Sequence, residues 1–470
     1  MTLMVQNELK VQDFLKSGNS AYLIGIGGVG MSALAKVLKH LGLQVSGSDM
    51  RTSPETSELV KMGIPVNIGH DMTHVYRQNF VIYSSAVSMK NPERREAILR
   101  SIPLFHRAEV LSTLMNQAIS IAVTGTHGKT TTSALISFLL SRSGVKPTCL
   151  VGGNVLNFGS NALLGDPHLM VAEVDESDKS HLFFHPDYAV LTNLEEDHLD
   201  VYQNLDNLKS AFREFAMNLK TTGRIIFSGH DEYLKEITAP IGNRIDYGLS
   251  RQFMYGAEEI DIEGFRTRFR LYEKGKQACQ VSLIIPGTHN VQNALGAIAV
   301  LRAFGLPLEP LVKAVGEFRG VGRRLEIKLN IPKLLVIDDY AHHPTEIEAS
   351  LRAIHSLGKP TTVVFQPHRY SRTRYLGASF SKAFYLADRL ILTDIYSAGE
   401  DNLGDVDVRD LYKMVKETNH PNVSIIAKDQ IVDYLCQDSK LEGTVVFLGA
   451  GDITEVASEF AKRFESSNPK

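Results

Sequence analysis

Short runs of apolar, mostly β-branched residues recur along this chain. A turn rich in glycine or asparagine follows several of them, and then a stretch with apolar residues three and four apart. Runs apolar at nearly every position suit strands buried on both faces, whereas the 3.6-residue spacing suits helices packed on a core. The first pair predicts a strand over 22–26 and a helix over 31–38, with further strands over 44–48, 65–68 and 80–83. A second block opens near residue 118, with a helical pattern over 133–140 and strands over 169–173, 188–192 and 224–227. Its later part, 253–285, alternates polar and apolar residues as antiparallel strands do, and a helix follows over 291–304. A third block begins near 323, with strands over 334–337, 361–365, 390–393, 423–426 and 444–448. Strands alternating with helices predict an α/β protein of mostly parallel sheets, divided as 1–107, 108–322 and 323–470.

The length of 470 residues agrees with about three domains at ~150 residues each. A balance of 50 basic against 53 acidic residues gives no basic stripe, which argues against nucleic-acid binding. Cys149, Cys279 and Cys436 are too few and too separated for a disulfide framework or a zinc knuckle. The apolar runs are of strand length, so no membrane insertion is expected. The first residues lack a basic stretch followed by an apolar core, and a cytoplasmic location is expected.

Chemistry concentrates where strands end. Ile121-Ala-Val-Thr-Gly-Thr-His-Gly-Lys-Thr-Thr-Thr132 runs from a strand through a glycine turn into a helix. Glycines let backbone N–H groups approach phosphate oxygens, the helix N-terminus favours negative charge, and Lys129 adds a cation. Thr130 then stands where a hydroxyl can ligate Mg²⁺. The spacing is not that of the common Walker loop, because Val123 stands where that loop has a glycine. A second glycine turn, Gly25-Ile-Gly-Gly-Val-Gly30, follows the first strand, and Asp49 ends the next one where a ribose-binding acid would lie. Alone it fits a dinucleotide site, a packing turn, or a cradle for a nucleotide-sugar diphosphate; the second phosphate loop favours the last.

Glu173 ends a strand and leads into Asp175-Glu-Ser-Asp178, and another strand leads to His198. Carboxylates at this edge suit Mg²⁺, with Glu173 favoured because it lies at the strand end itself. The run 175–178 also fits a solvated helix start, and His198 a capping or core residue. Asn293, after Pro286-Gly-Thr-His-Asn290, is a candidate adenine reader or an N-cap. His368, Arg369 and Arg372 share one strand-end loop and suit a carboxylate clamp, although surface charge is the plain alternative.

Together the segments 25–32, 124–132, 173–178, 286–290, Asp338-Asp-Tyr-Ala-His-His-Pro-Thr-Glu346 and Phe365-Gln-Pro-His-Arg-Tyr-Ser-Arg-Thr373 resemble the motifs of the Mur ligase family, in order and over essentially the whole chain. Val174 and Ala341 stand where that family commonly has Ala and Gly. The resemblance implies a Rossmann-like N-terminal domain for a UDP-sugar, a central P-loop ATPase-type mixed sheet, and a Rossmann-like C-terminal domain. It implies ATP-driven amide formation between L-alanine and the lactyl carboxylate of UDP-N-acetylmuramate through an acyl phosphate, with ATP and two Mg²⁺ as cofactors. Gly125, Thr126, His127, Gly128, Lys129, Thr130, Thr131, Asn293, Arg324 and Asp339 would hold ATP. Thr130, Glu173 and His198 would hold metal. Gly27, Gly28, Val29, Gly30, Asp49, Ser85, His106 and Arg107 would hold the UDP-sugar, and Tyr340, His342, His368, Arg369 and Arg372 the amino acid. Lys129, Glu173, His198 and His342 would be catalytic, domain closure would exclude water, and the protein would act as a monomer or weak homodimer. A family member that attaches a whole tripeptide to the same sugar is the nearest alternative, and a nicotinamide-dependent dehydrogenase a remote one.

Overall fold

The computed structural model describes residues 10–400, 404, 406–418 and 420–467. Its first sheet is built from Ser20–Ile24 (β1), Gln44–Asp49 (β2), Val66–Ile68 (β3), Phe80–Tyr83 (β4) and Leu104–His106 (β5). The strands lie in the order β3-β2-β1-β4-β5, and every pairing is parallel. Strand order reverses beside β1, so a crevice forms at its C-terminal end. β1 stops at Ile24, two residues short of the apolar run, because Gly25 takes a φ of 77° and turns the chain. Helix Val29–His40 then starts directly on the glycine turn.

The second sheet comprises Ile119–Thr124 (β6), Pro147–Val155 (β7), Ser160–Leu163 (β8), Asp166–Glu173 (β9), Tyr188–Leu191 (β10), Arg224–Ser228 (β11), Arg244–Gly248 (β12), Tyr255–Glu263 (β13), Arg266–Glu273 (β14) and Lys276–Leu283 (β15). Its order is β15-β14-β13-β12-β11-β10-β6-β9-β7-β8. β6, β9, β10, β11 and β12 pair in parallel, whereas β7 and β8 form an antiparallel hairpin. Two-residue connections join β13 to β14 and β14 to β15; chain that short permits only hairpins, as the alternation over 253–285 predicted. β6 and β10 put Thr124 and Leu191 side by side, which brings the phosphate loop next to the segment that begins at Thr192.

The third sheet contains Glu326–Asn330 (β16), Leu334–Asp339 (β17), Thr361–Phe365 (β18), Arg389–Leu392 (β19), Val423–Ile425 (β20) and Gly443–Leu448 (β21), in the order β16-β17-β21-β18-β19-β20. Only the edge strand β16 runs antiparallel. Alternate residues feed two cores: Ile337, Val363 and Phe365 face one, and Val336, Val364 and Val445 the other. Helices covering both faces explain why these strands are apolar throughout.

The chain separates into two compact units. Residues 1–258, 270–281 and 292–318 make the first, and one apolar cluster in it runs from Leu23 and Leu34 to Leu150 and Phe212. The second holds 259–269, 282–291 and 319–470, so parts of the 253–285 segment cluster with the C-terminal residues. Among the described residues no helix is long and apolar enough to cross a membrane.

Candidate active site

The phosphate loop is fixed by backbone geometry. Gly128 adopts a φ of 81° and precedes helix Lys129–Arg142; a Cβ on it would lie 2.6 Å from Asn293 Oδ1. Asn193 clamps the loop twice, accepting from the His127 amide at 2.8 Å and donating to the His127 carbonyl at 3.0 Å. Thr192 Oγ1 donates to that same carbonyl at 2.6 Å. Asn293 lies inside helix Thr288–Phe304, where its Oδ1 accepts from Thr132 Oγ1 at 3.2 Å. It therefore abuts the phosphate loop and is not an N-cap.

Lys129 Nζ donates to the carbonyls of Gly125 and Thr126 at 2.5 and 3.2 Å and to Glu176 Oε1 at 2.8 Å. Burial alone would lower the ammonium pKa, but the carboxylates of Glu176, Asp175 and Glu173 outweigh it, and Lys129 is held above its ordinary range. Glu176 is 1 % exposed, and burial pushes it up to about 7 against the pull of Lys129. Asp175 is desolvated too, yet Lys129, the Ser177 amide and Arg107 keep it below the usual carboxylate range. The acidic run 175–178 is thus no solvated helix start. Glu176 Oε2 is buried with no hydrogen-bond partner among the described residues. His198, at a φ of 56°, has Nε2 3.7 Å from Glu176 Oε1, and Glu173 Oε2 accepts from the Gly152 amide at 3.1 Å. Hard carboxylate oxygens, one of them buried and unsatisfied, form a donor set suited to a divalent cation beside a phosphate loop.

In the same unit, the turn at Gly27–Gly30 faces this acidic edge. A cavity of about 240 Å³ has Gly28, Val29, Gly30 and Arg107 on its wall together with Gly152, Glu173 and Asp175. Asp49 Oδ2 accepts from the Gly27 amide at 2.9 Å, so this carboxylate shapes the glycine turn itself. Ser85 Oγ lies 3.0 Å from His106 Nε2 and also donates to Asp178. Burial lowers the pKa of His106, while Asp178 opposes the shift.

The second unit gathers the remaining candidates. Asp339, 4 % exposed, accepts from the amides of Leu325 and Ala341 at 2.8 and 2.7 Å; burial pushes it up to about 6 although Arg324 pulls it down. The guanidinium groups of Arg323 and Arg324 lie 4.8 and 5.1 Å from the Tyr340 ring centre. His342 Nδ1 is 3.0 Å from the Tyr340 carbonyl and 3.3 Å from Glu346. Burial, against Glu346, lowers it to about 4. His368 stacks on Tyr396 with ring centres 5.7 Å apart, and its Nδ1 lies 3.2 Å from Arg372 Nη1. Burial, then His342 and the arginines, lowers His368 to about 3. Arg369 caps helix Tyr370–Ala383 at a φ of 71°, its side chain exposed. Both imidazoles are neutral at pH 7, which keeps the basic loop's cationic charge on its arginines.

Three family models match successive parts of the chain: the Mur ligase family catalytic domain over 20–118, the Mur ligase middle domain over 123–301, and the Mur ligase glutamate ligase domain over 323–451. The chain belongs to the Mur ligase family. Among its relatives in that family, the UDP-N-acetylmuramate–L-alanine ligase of Geotalea daltonii is 40% identical over 449 residues, covering 95% of this chain and 98% of that protein. The crystal structure of the UDP-N-acetylmuramate–alanine ligase of Thermotoga maritima is 31% identical with a TM-score of 0.82, covering 96% of this chain and 100% of that one. A murein peptide ligase of Psychrobacter arcticus, 24% identical with a TM-score of 0.72 over 96% of this chain and 98% of its own, shares the Mur ligase fold.

Several residues of the site escape a reading of local motifs. Glu176 was one acid among four, and only its burial against Lys129 singles it out. Thr192 and Asn193 do carry a signal, polar side chains at the end of a buried strand. Glu346 orients His342 from four residues on in the same motif, whereas Tyr396 stacks on His368 from a separate loop and has no sequence signature of its own.

Proposed function

We propose that this chain is an ATP-dependent ligase joining L-alanine to the lactyl carboxylate of UDP-N-acetylmuramate, with release of ADP and phosphate. The observation that carries it is the cavity with the Gly28–Gly30 turn on one wall and Glu173 and Asp175 on the other. Such a space suits a nucleotide-sugar whose diphosphate rests on the turn while its carboxylate points at the metal-binding edge. The full-length relatives named above supply the identity of the sugar and the amino acid.

In this reading residues 1–107 hold the UDP-sugar through Gly27, Gly28, Val29, Gly30, Ser85, His106 and Arg107, with Asp49 bracing the turn. Residues 108–322 hold ATP, with Gly125 to Thr131 around its phosphates and Asn293 beside them. Residues 323–470 supply Arg324 and Asp339 toward the nucleotide, and Tyr340, His342, His368, Arg369 and Arg372 toward L-alanine. Thr130, Glu173, His198 and the buried Glu176 would hold two Mg²⁺ ions, which when bound neutralise phosphate charge and orient the γ-phosphoryl group.

The obstacle is electrostatic, since a carboxylate must approach an anionic triphosphate. Lys129, kept cationic by three carboxylates, neutralises the β- and γ-phosphates. The lactyl carboxylate attacks the γ-phosphorus, the bond to the bridging oxygen breaks and ADP leaves, giving an acyl phosphate; the alanine amine then attacks the acyl carbon, and phosphate leaves as the amide forms. Neutral His342, its Nδ1 turned to the Tyr340 carbonyl, presents Nε2 as an acceptor for a proton of the incoming amine. Phosphate release from ATP and UDP-N-acetylmuramate should require L-alanine, with weaker response to glycine and L-serine. Release driven by the tripeptide in place of L-alanine would transfer the assignment to the recycling reaction, and release indifferent to any amine would reject the ligase. The reaction is proposed to take place in the cytoplasm.

A further inference from the structure

Lys36 lies in the helix that starts on the first glycine turn, is 1 % exposed, and plays no part in the reaction described above. Its ammonium has three donors, and each finds a partner: Ser160 Oγ at 2.9 Å, Asn161 Oδ1 at 2.7 Å and Glu58 Oε2 at 2.7 Å. Ser160 Oγ in turn donates to Glu58 Oε1 at 3.1 Å, closing a ring. The ring joins two elements of the first sheet's domain, helices Val29–His40 and Pro54–Lys61, to strand β8 of the second. Asn161, 4 % exposed, carries the connection to the phosphate turn. Its Nδ2 donates to the Val29 carbonyl at 2.7 Å and to Ser32 Oγ at 2.8 Å, both in the helix's first turn.

Leaving such groups unpaired would be costly, so the network has one favourable arrangement. We propose that Lys36, Glu58, Ser160 and Asn161 form a positioning latch that fixes the sugar-diphosphate turn relative to the acidic, metal-binding edge of the ATP domain, Asn161 being the residue that sets the turn. Apolar contact alone could hold the two domains together, as their shared core shows. It is non-directional, however, and cannot define the height of one helix turn as an amide that donates one hydrogen to each of two acceptors does. Val29 and Gly30 line the cavity shared with Glu173, so a shift of that first turn changes the distance from a bound sugar's carboxylate to the ATP phosphates.

The inference rests on the proposed use of the Gly28–Gly30 turn for a UDP-sugar. Asn161→Asp tests it, because the new carboxylate still accepts from Lys36 but cannot donate to Val29 or Ser32. Calorimetric titration with UDP-N-acetylmuramate should show affinity about 10-fold weaker, the loss of roughly one good hydrogen bond, while ATP affinity stays near wild type; the melting temperature falls as the buried donor is lost, so the ratio of sugar to ATP affinity is the readout. Lys36→Met, which opens the ring, should weaken sugar binding and also lower the melting temperature. Unchanged sugar affinity in Asn161→Asp, or an equal loss for ATP, overturns the latch. Wild-type protein that binds the sugar but forms no amide rejects the proposed reaction and leaves the latch to be judged on the binding ratio.

Discussion

At the residue scale, the pairing of Lys129 with Glu176 is the sharpest feature of the site. A buried ion pair contributes little net stability, but removing one partner strands the other charge in a low-dielectric site. Lys129→Met should therefore abolish ATP turnover and also destabilise the first unit by about 3 kcal/mol, because Glu176 is left with no cation. Lys129→Met/Glu176→Gln should recover most of that stability and none of the activity, since the amide removes the stranded charge without restoring the cation beside the Gly125–Thr130 loop. Denaturant melts of the four proteins in this cycle check both statements. They should be followed by circular dichroism, because the chain contains no tryptophan. A double variant no more stable than Lys129→Met would mean that the pair is not coupled.

At the scale of elements, the loop and the helix it starts act as one object. Gly128 needs a left-handed backbone and has no room for a Cβ beside Asn293. Gly128→Ala should cost about 1–2 kcal/mol of loop strain and lower kcat/KM for ATP well beyond any change in melting temperature. Shortening the neighbour with Asn293→Gly should relieve the clash but not the strain, so recovery would be partial; full recovery would show that sterics alone matter. Elements like this were legible in the sequence because their chemistry is consecutive: Gly125 to Thr130 spell out a turn, a cation and a hydroxyl in six positions. Helix Lys129–Arg142 and the apolar strands were legible for the same reason, their periodicity being local. Glu176, Asn193 and Asn161 were not, since they work across separations of 47, 66 and 125 residues from Lys129, His127 and Lys36. The hairpin β7–β8 has no clear signal in the sequence, as Gly152-Gly-Asn154 breaks its apolar pattern. That hairpin nevertheless delivers Asn161.

At the scale of the whole molecule, the second unit carries an unusual set of buried titrating groups, and their signs can be added. Burial lowers His289 and His342 to about 4 and His368 to about 3. Each is neutral when folded and, below its ordinary value near 6.5, protonated when unfolded. Stability from these three is fully present above that value and is lost as pH falls toward the folded values. Asp339 acts oppositely: raised to about 6 by burial, it binds a proton in the folded state across a window where the unfolded chain stays ionised, so its contribution is retained below its ordinary value near 3.8 and lost as pH rises through 6. Among these four groups, three protons against one leave the unfolded state about two protons richer near pH 5, a slope of about 2.7 kcal/mol per pH unit; in the same unit Asp338, raised by burial, and His420, lowered by burial, oppose one another in sign. Amide exchange in β17 and β18 should therefore show the second unit losing stability steeply between pH 6.5 and 4.5. His368→Gln should flatten that slope by about one proton, roughly 1.4 kcal/mol per pH unit. Asp339→Asn should steepen it by a similar amount, because the opposing group is gone. Slopes that move the same way in both variants would refute the assignment of these shifts to burial of the individual groups. With His342 and His368 neutral across the working range, pH reaches the loop that carries His368, Arg369 and Arg372 only on the acid side, and there it reduces folding stability before it alters the charge of the loop.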